Sequence, residues 1–204
     1  MGEICDRAHC RDVVGSIESF HDQALGSWYA SADARPVVGA LGELLLAQHR
    51  CNYDLWGLED DARRRDVADS VIAATKRAID ARNQDRNDLI ERLDDAILRA
   101  YGNVDTATAE LHSETAGQMI DRLSILALKI RNMRKLADDR SDPVLARECA
   151  AKVAVLEEQR CDLAGCLRHL LDDFARGARY FKSYRQFKAY NDPRLNPALS
   201  SGGS

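Results

Sequence analysis

The chain has 204 residues, of which 45% are hydrophobic, and its formal net charge is -4. A chain of this length and composition can bury a sizeable core, whereas its acidic balance argues against a general nucleic-acid binder or a protein that binds anionic membranes. We recognise no signal peptide and no apolar run of the ~18 to 20 residues that a membrane span requires. The sequence therefore predicts a cytoplasmic protein.

The cysteines of the chain are scattered and form no C-x-x-C pair: Cys5, Cys10, Cys51, Cys149, Cys161 and Cys166. In a reducing cytoplasm they are expected to be free thiols. The members of the pairs Cys5/Cys10 and Cys161/Cys166 are five residues apart, a spacing that places them on different faces of a helix. The pattern predicts no structural metal site, and we expect no cofactor.

Helical spacing of apolar residues predicts a single-domain, all-α bundle over residues 1–197. We expect about five long antiparallel helices, followed by a basic and aromatic C-terminal helical segment. The predicted helices cover residues 4–28, 36–64, 66–102, 115–136 and 142–177. Residues 198–204 are expected to form a disordered tail.

Three helix boundaries carry specific local signals. Gly102 is a typical C-terminal stop, and Thr115 with Gln118 fits a capping box. Asp142 before Pro143 combines an N-cap residue with a proline suited to the first helical position.

Polar side chains follow one another at intervals of three or four residues on the second predicted helix. The series is His49, Asn52, Trp56, Glu59 and Arg63, with Asp60 adjacent. Such spacing places the side chains along one helix face, which could contact a ligand. The alternative is a solvated helix end, on which Trp56 packs against a neighbouring helix and Glu59 forms an ordinary ion pair with Arg63.

The long third helix carries a second polar ridge, formed by Lys76, Asp80, Asn83, Asn87 and Glu91. If the second and third helices form an antiparallel hairpin with its turn near Arg65, the two polar series can face each other. Glu91-x-x-Asp94 also has the spacing with which helical enzymes hold magnesium, but the chain offers no upstream E-x-x-E partner.

The fourth helix is apolar almost all round between Leu123 and Ile130, as expected for the centre of a bundle. Arg122 and Lys129 are seven residues apart and therefore share a face. Two buried cations would need anions close by, such as Asp121 or a bound phosphate. In the alternative interpretation the Lys129 side chain extends to the surface.

Cations recur at every third residue near the C-terminus, and aromatic residues lie between them. The cations are Arg176, Arg179, Lys182, Arg185 and Lys188, and the aromatic residues are Tyr180, Phe181, Tyr184, Phe187 and Tyr190. This pattern suits a phosphate with a stackable ring or sugar. An acidic groove on the same protein is the alternative partner.

Four blocks of the sequence, in order, resemble a bacterial family called domain of unknown function 4254. The blocks are HRCNYDLWGLEDDARR, DVADSVIAATKRAIDARNQDRNDLIERLD, SETAGQMIDRLSILALKIRNM and FKAYNDPRLNP. The resemblance covers about residues 48–197 and leaves the variable first helix outside. At Ala116 the chain departs from similar sequences, which tend to have proline there.

The resemblance implies an all-helical protein, and similar sequences tend to occur alongside glycosyltransferases of cell-surface polysaccharide pathways. It also implies a set of recurrent polar positions, which we take as candidate ligand-binding residues. They are His49, Asn52, Trp56, Glu59, Asp60, Arg63, Lys76, Asp80, Asn83, Asn87, Glu114, Asp121, Arg122, Lys129, Lys188, Tyr190, Asn191 and Asp192.

Three hypotheses follow for the function. The first is a binding or accessory protein of bacterial glycan assembly, with a charged cleft for an anionic ligand such as a nucleotide sugar, or for a glycosyltransferase; a homo-oligomer is compatible with it. The second is a helical enzyme acting on nucleotides or sugar phosphates, in which Glu59, Asp60, Asp80 and Glu91 hold a divalent metal and Lys129 stabilises developing charge. The third is a scaffold with internal salt bridges.

Overall fold

A computed structural model of the protein describes residues 6–30, 39–185 and 194–196. These ranges form six helices and one short pair of strands, which confirms the predicted all-α bundle. The elements are α1 (Arg7–Gly15), α2 (Ile17–Tyr29), α3 (Gly39–Asp61), α4 (Asp69–Tyr101), β1 (Glu110–Leu111), α5 (Ala116–Ala137), α6 (Pro143–Ala175) and β2 (Arg179–Tyr180). Within the described ranges, no helix has the length and apolarity needed to cross a membrane.

The first predicted helix is two helices, so the prediction of one continuous helix over residues 4–28 is wrong. The break falls at Ser16, whose backbone leaves the helical conformation. Its hydroxyl donates hydrogen bonds to the carbonyls of Asp12 (3.0 Å) and Val13 (3.2 Å). A serine that bonds to the preceding turn competes with continuation of the helix. α2 then passes through Gly26 and Ser27, the predicted end, and reaches Tyr29.

The second and third predicted helices form the expected antiparallel hairpin. α3 and α4 are joined through residues 62–68, which include the predicted turn at Arg65. Near the middle of the hairpin, the Cys51 thiol donates to the carbonyl of Arg82 (3.2 Å). The two polar series are thereby brought onto neighbouring helices.

The predicted helix starts at Thr115 and Asp142 are both confirmed. The Thr115 hydroxyl accepts from the backbone N–H of Gln118 (3.2 Å), whose side-chain oxygen accepts from the N–H of Thr115 (2.9 Å). One oxygen of Asp142 accepts from the N–H groups of Val144 (3.1 Å) and Leu145 (3.0 Å). These bonds satisfy N–H groups that lack partners within the helix. α5 and α6 can therefore begin at defined residues.

All six helices contribute to the largest apolar cluster. It includes Val14, Ile17, Leu45, Ile97, Leu123, Leu167 and Phe174, each less than 5% exposed. Burying one such side chain contributes about 1.5–3 kcal/mol relative to leaving it in water. This core holds α3, α4 and α5 against one another.

The C-terminal segment is not helical where the structure describes it, which corrects the prediction for residues 179–185. α6 ends at Ala175, and Gly177 follows in a left-handed conformation (φ 72°) that favours glycine. β2 then pairs in parallel with β1, with Glu110 opposite Arg179. The Phe181 ring stacks on Phe174 at 5.6 Å between centroids. Burial of Phe181 thus fixes the extended segment on the bundle.

Gly117 allows α5 to begin in direct contact with α4. Its N–H donates to the buried carboxylate of Asp94 at 2.7 Å. A Cβ atom at this position would lie 2.7 Å from the carbonyl oxygen of Ile90 and 2.8 Å from Oδ1 of Asp94. Burial raises the pKa of Asp94 to about 6, against hydrogen bonds from Thr115 and Gly117 that lower it.

Replacing Gly117 with alanine is expected to lower the free energy of unfolding by about 2–3 kcal/mol, because neither backbone nor buried carboxylate can move away cheaply. Urea unfolding gives this difference. Gly165→Ala in α6 is the matched control, since no heavy atom lies within 4 Å of its added Cβ. That variant should be neutral or more stable by up to about 1 kcal/mol. Equal effects of the two substitutions would contradict the tight approach of α5 to α4.

Candidate functional site

A cleft of about 390 Å³ lies between α3, α4 and α5. Its lining residues are Asn52, Leu55, Trp56, Glu59, Asp60, Arg63, Asn83, Arg86, Ile125 and Leu128. The volume lies within the range of small-molecule sites, and such sites typically combine apolar walls with a few convergent polar groups.

Most of the polar wall comes from one face of α3. Asn52, Trp56 and Glu59 succeed one another at intervals of four and three residues, which keeps them on one side of the helix. Arg63 lies in the turn after α3 and pairs with Glu59. α4 contributes Asn83 and Arg86 from the opposite side, and α5 contributes apolar residues. The cleft therefore combines polar side chains, mainly from α3 and α4, with apolar side chains from α5.

The floor of the cleft is organised by the buried carboxylate of Asp121, which is 4% exposed. Its Oδ1 accepts from Nε2 of Gln48 (2.6 Å), Nδ2 of Asn52 (2.9 Å) and Nε of Arg86 (2.8 Å). Nη2 of Arg86 bonds to Oδ2, which makes the Arg86 pair bidentate. Hydrogen bonding to Asp121 raises the pKa of Arg86. Asn52 and Arg86 thus enter the cleft in fixed positions.

The same network continues behind the cleft through Ser124. The Ser124 hydroxyl lies 3.0 Å from Nδ2 of Asn52 and 2.7 Å from Nδ1 of His49. Nε2 of His49 is 3.3 Å from the carbonyl of His21, and the two imidazole rings are 4.3 Å apart. His21, His49 and Ser124 are each 0% exposed. These groups support the floor from inside the bundle.

The charges that line the cleft balance, because Glu59 and Asp60 are opposed by Arg63 and Arg86. Arg63 pairs with Glu59 (Nη1 to Oε2, 3.0 Å) and also donates to the Glu59 carbonyl. Carboxylates accept, guanidinium groups donate and the Asn83 amide does both. The arrangement can form hydrogen bonds of either polarity beside an indole ring.

Comparison with known proteins identifies the family of the chain. The profile of a family described as "Protein of unknown function (DUF4254)" matches residues 42–183, which is more than two thirds of the 204 residues. The chain belongs to the DUF4254 family. The matched range contains all ten lining residues of the cleft but stops before FKAYNDPRLNP, the last block of the resemblance. Searches of curated proteins and of solved structures gave no significant match.

In this DUF4254 protein, eight of the predicted site residues come together at the cleft. Asn52, Trp56, Glu59, Asp60, Arg63 and Asn83 line it, while Asp121 and His49 belong to the buried network beneath. On α4, Lys76 and Asp80 are exposed instead, and Asn87 is half-buried. The Glu59–Arg63 ion pair of the alternative interpretation is observed, and both of its residues line the cleft.

Arg122 and Lys129 do not form the predicted cationic pair of a buried face. Both are exposed, and Arg122 pairs with Glu114 (2.8 Å) at the start of α5. For Lys129 no ion pair is found in the part of the chain that the structure describes. α5 buries Leu123, Ala127 and Ile130 but leaves a narrow outward face for these cations. The surface position predicted as the alternative for Lys129 is the observed one.

The carboxylates proposed as metal ligands are dispersed. Glu59 and Asp60 line the cleft, Asp80 is exposed on α4, and Glu91 pairs with Arg185 at 2.8 Å. Among the described residues, no group of three or more His, Cys, Asp or Glu side chains could hold a metal ion. The second hypothesis therefore receives no support from this geometry.

The basic C-terminal segment binds acids of its own chain. Arg185 bridges Glu91 (2.8 Å) and Asp95 (2.7 Å) on α4, and Arg179 contacts Glu110 at 3.3 Å. Arg179 and Arg185 of this segment thus pair with acidic residues of the same chain, as the alternative interpretation predicts. The candidate residues Lys188, Tyr190, Asn191 and Asp192 lie outside the described residues.

Three important residues were missed because each occupies a position expected to be apolar. Gln48 lies seven residues from both Leu41 and Leu55, and Arg86 lies seven residues from both Ile79 and Leu93. Ser124 similarly falls within the apolar face of α5. A polar side chain in the middle of a buried stripe needs a partner. A polar residue that interrupts an apolar stripe therefore indicates a buried hydrogen-bond network.

Proposed function

We propose that this DUF4254 protein is a binding or accessory protein of bacterial cell-surface glycan assembly, and that its cleft binds the sugar portion of an anionic precursor such as a nucleotide sugar. The observation that carries the proposal is the convergence of Trp56, two carboxylates, two amides and two guanidinium groups on one cleft of about 390 Å³. Sites with such a few convergent polar groups are suited to one small ligand.

The chemistry of the walls favours a sugar over a purely apolar ligand. A pyranose ring has an apolar C–H face, which can pack on the indole of Trp56, and hydroxyl edges that donate and accept. Glu59 and Asp60 accept hydrogen bonds from hydroxyl groups, whereas Asn83 can donate as well as accept. One ring can therefore contact apolar and polar walls together.

Arg63 and Arg86 provide the cationic groups for a phosphate. Arg86 bonds to Asp121 through Nε and Nη2, so the N–H groups of Nη1 remain to donate to a ligand oxygen. Because Asp121 fixes the guanidinium, little rotamer freedom would be lost on binding. In this proposal Arg63 and Arg86 take the phosphate-binding role that the sequence had suggested for Arg122 and Lys129.

The resemblance supports the biological setting, since similar sequences tend to occur alongside glycosyltransferases. Nucleotide sugars are soluble, charged donors of such enzymes, and a cytoplasmic protein would meet them there. In this proposal the protein presents or retains the precursor for a transferase partner.

Isothermal titration calorimetry tests the cleft with UDP-glucose, UDP and glucose as probes. UDP-glucose is expected to bind at least about tenfold more tightly than glucose, because only the former engages both the indole and the guanidinium groups. Asp60→Ala and Asn83→Ala should each weaken binding of UDP-glucose by about tenfold. Trp56 is left unchanged because it also lines a neighbouring groove.

The matched control is Asp80→Ala, an exposed carboxylate on the same hairpin. It should leave the affinity unchanged. Affinity-tagged protein would in parallel be used to capture glycosyltransferases encoded beside its gene. Absence of both kinds of binding, or affinity insensitive to the two cleft variants, would rule the proposal out.

A further inference from the structure

An apolar groove of about 830 Å³ runs between the C-terminal half of α5 and the N-terminal half of α6. Its lining residues are Trp56, Lys129, Asn132, Met133, Leu136, Glu148, Ala151, Lys152, Val155 and Leu156. Leu136 and Val155 are 44% and 53% exposed, and Val144, one turn before Glu148, is 59% exposed. A contiguous apolar surface of this kind commonly marks an interaction site.

The α6 side of the groove carries a ridge of side chains that is complementary to an antiparallel copy of itself. The ridge is Val144, Glu148, Lys152 and Leu156, at intervals of four residues. Read in the opposite direction it is apolar, cationic, anionic and apolar. In an antiparallel pair, Leu156 of one copy lies opposite Val144 of the other, and Lys152 lies opposite Glu148. Twofold symmetry produces each of these contacts twice.

The two charges at the centre of the ridge are available for such pairing. Glu148 and Lys152 are both exposed. Neither forms an ion pair with another residue in the described ranges, although they are four residues apart on one helix. Their charges are thus neither buried nor satisfied by a neighbouring helix.

We propose that the groove is the interface with a second copy of this chain, in which two α6 helices cross in antiparallel orientation. A twofold interface uses the same surface on both subunits and requires it to be self-complementary, as this ridge is. Rows of side chains at four-residue spacing interdigitate when two helices pack at a steep angle. Each ridge then enters the groove of the other copy and covers Met133 and Leu136.

The pairing explains the composition of the surface. Apolar residues at both ends of the ridge are removed from water, and opposite charges meet at its centre instead of like charges. A parallel arrangement would place Glu148 toward Glu148 and is disfavoured by repulsion. The inference does not depend on the ligand of the cleft.

Charge reversal tests the arrangement in the full-length protein by sedimentation equilibrium over a range of concentrations. Wild type is expected to form a dimer. Lys152→Glu and Glu148→Lys should each raise the dissociation constant by about tenfold or more, because each places like charges together. The double variant Glu148→Lys with Lys152→Glu restores opposite charges and should recover dimerisation.

Lys76→Glu on the exposed surface of α4 is the matched control, with the same change of charge away from the groove. Circular dichroism establishes that every variant is folded. A monomeric wild type overturns the proposal and leaves the groove to a different partner. A dimer unaffected by either single reversal, or not recovered by the double variant, overturns it as well.

Discussion

Replacing Asp121 with alanine is expected to lower the free energy of unfolding by about 3–5 kcal/mol. The carboxylate accepts from Gln48, Asn52 and Arg86, so its removal leaves three donors without their acceptor. Arg86 is partly exposed through the cleft and can recover some hydration, but the Gln48 side chain is 0% exposed. Urea unfolding of wild type and variant near neutral pH measures the loss.

Glu157→Ala is the matched control for the loss of a carboxylate bound to arginine. Glu157 pairs with Arg134, and both side chains are about half exposed. Its removal should cost less than about 1 kcal/mol, as for most surface ion pairs. If the Asp121 and Glu157 variants are equally stable, the buried network contributes far less to the free energy of unfolding than its geometry indicates.

The protein is expected to lose stability as pH falls below about 6.5, because His21 and His49 are held neutral in the fold. Burial is the main cause that lowers the pKa of both rings, to about 3 for His49 and well below the ordinary value for His21. Arg160 lowers both further, as does His49 for His21. In the unfolded chain both rings take up protons near pH 6.5, which favours unfolding at lower pH.

Together the two histidines are expected to lower the free energy of unfolding by about 3 kcal/mol between pH 7.5 and pH 5.5, since each contributes about 1.4 kcal/mol over that interval. Asp94 also titrates, because its raised pKa makes the fold less stable as pH rises from about 4 to about 6. Comparing wild type with His21→Phe cancels that contribution.

The ring nitrogens of His21 have no hydrogen-bond partner among the described residues, so phenylalanine removes a titrating group without removing a bond. Urea unfolding at both pH values should show that the variant loses about half of the histidine-dependent change. An unchanged difference between the two pH values would mean that His21 does not resist protonation in the folded protein.

Much of the fold could be predicted because its determinants are local. Thr115, Asp142 and Gly102 act on their own helix ends, and the hairpin follows from two long helices with a short connection. The pairing of Glu110 with Arg179 could not be predicted, since it joins residues far apart in sequence. Ser16 was missed for a different reason, because helical apolar spacing continues on both sides of the break.

The α3 wall could be predicted because spacing alone fixes which of its side chains share a face. On α4, however, rotation about the helix axis is set by the burial of Ile79 and Leu93. This rotation directs Arg86 toward Asp121 of α5, while Asp80 remains exposed. The position of Lys129 likewise depends on which face of α5 its neighbours cover. The spacing of polar residues identifies which side chains share a helix face, whereas tertiary packing decides which neighbouring element that face contacts.

Trp56 lines both the cleft and the α5–α6 groove, so one indole separates the two surfaces. Anything that rotates this ring alters the two sites at once. If the cleft binds the proposed ligand and the groove the proposed second copy, thermodynamic linkage relates the two: the factor by which the ligand changes the affinity of one copy for another equals the factor by which association changes the affinity for the ligand. A single side chain would then make the two proposed equilibria interdependent.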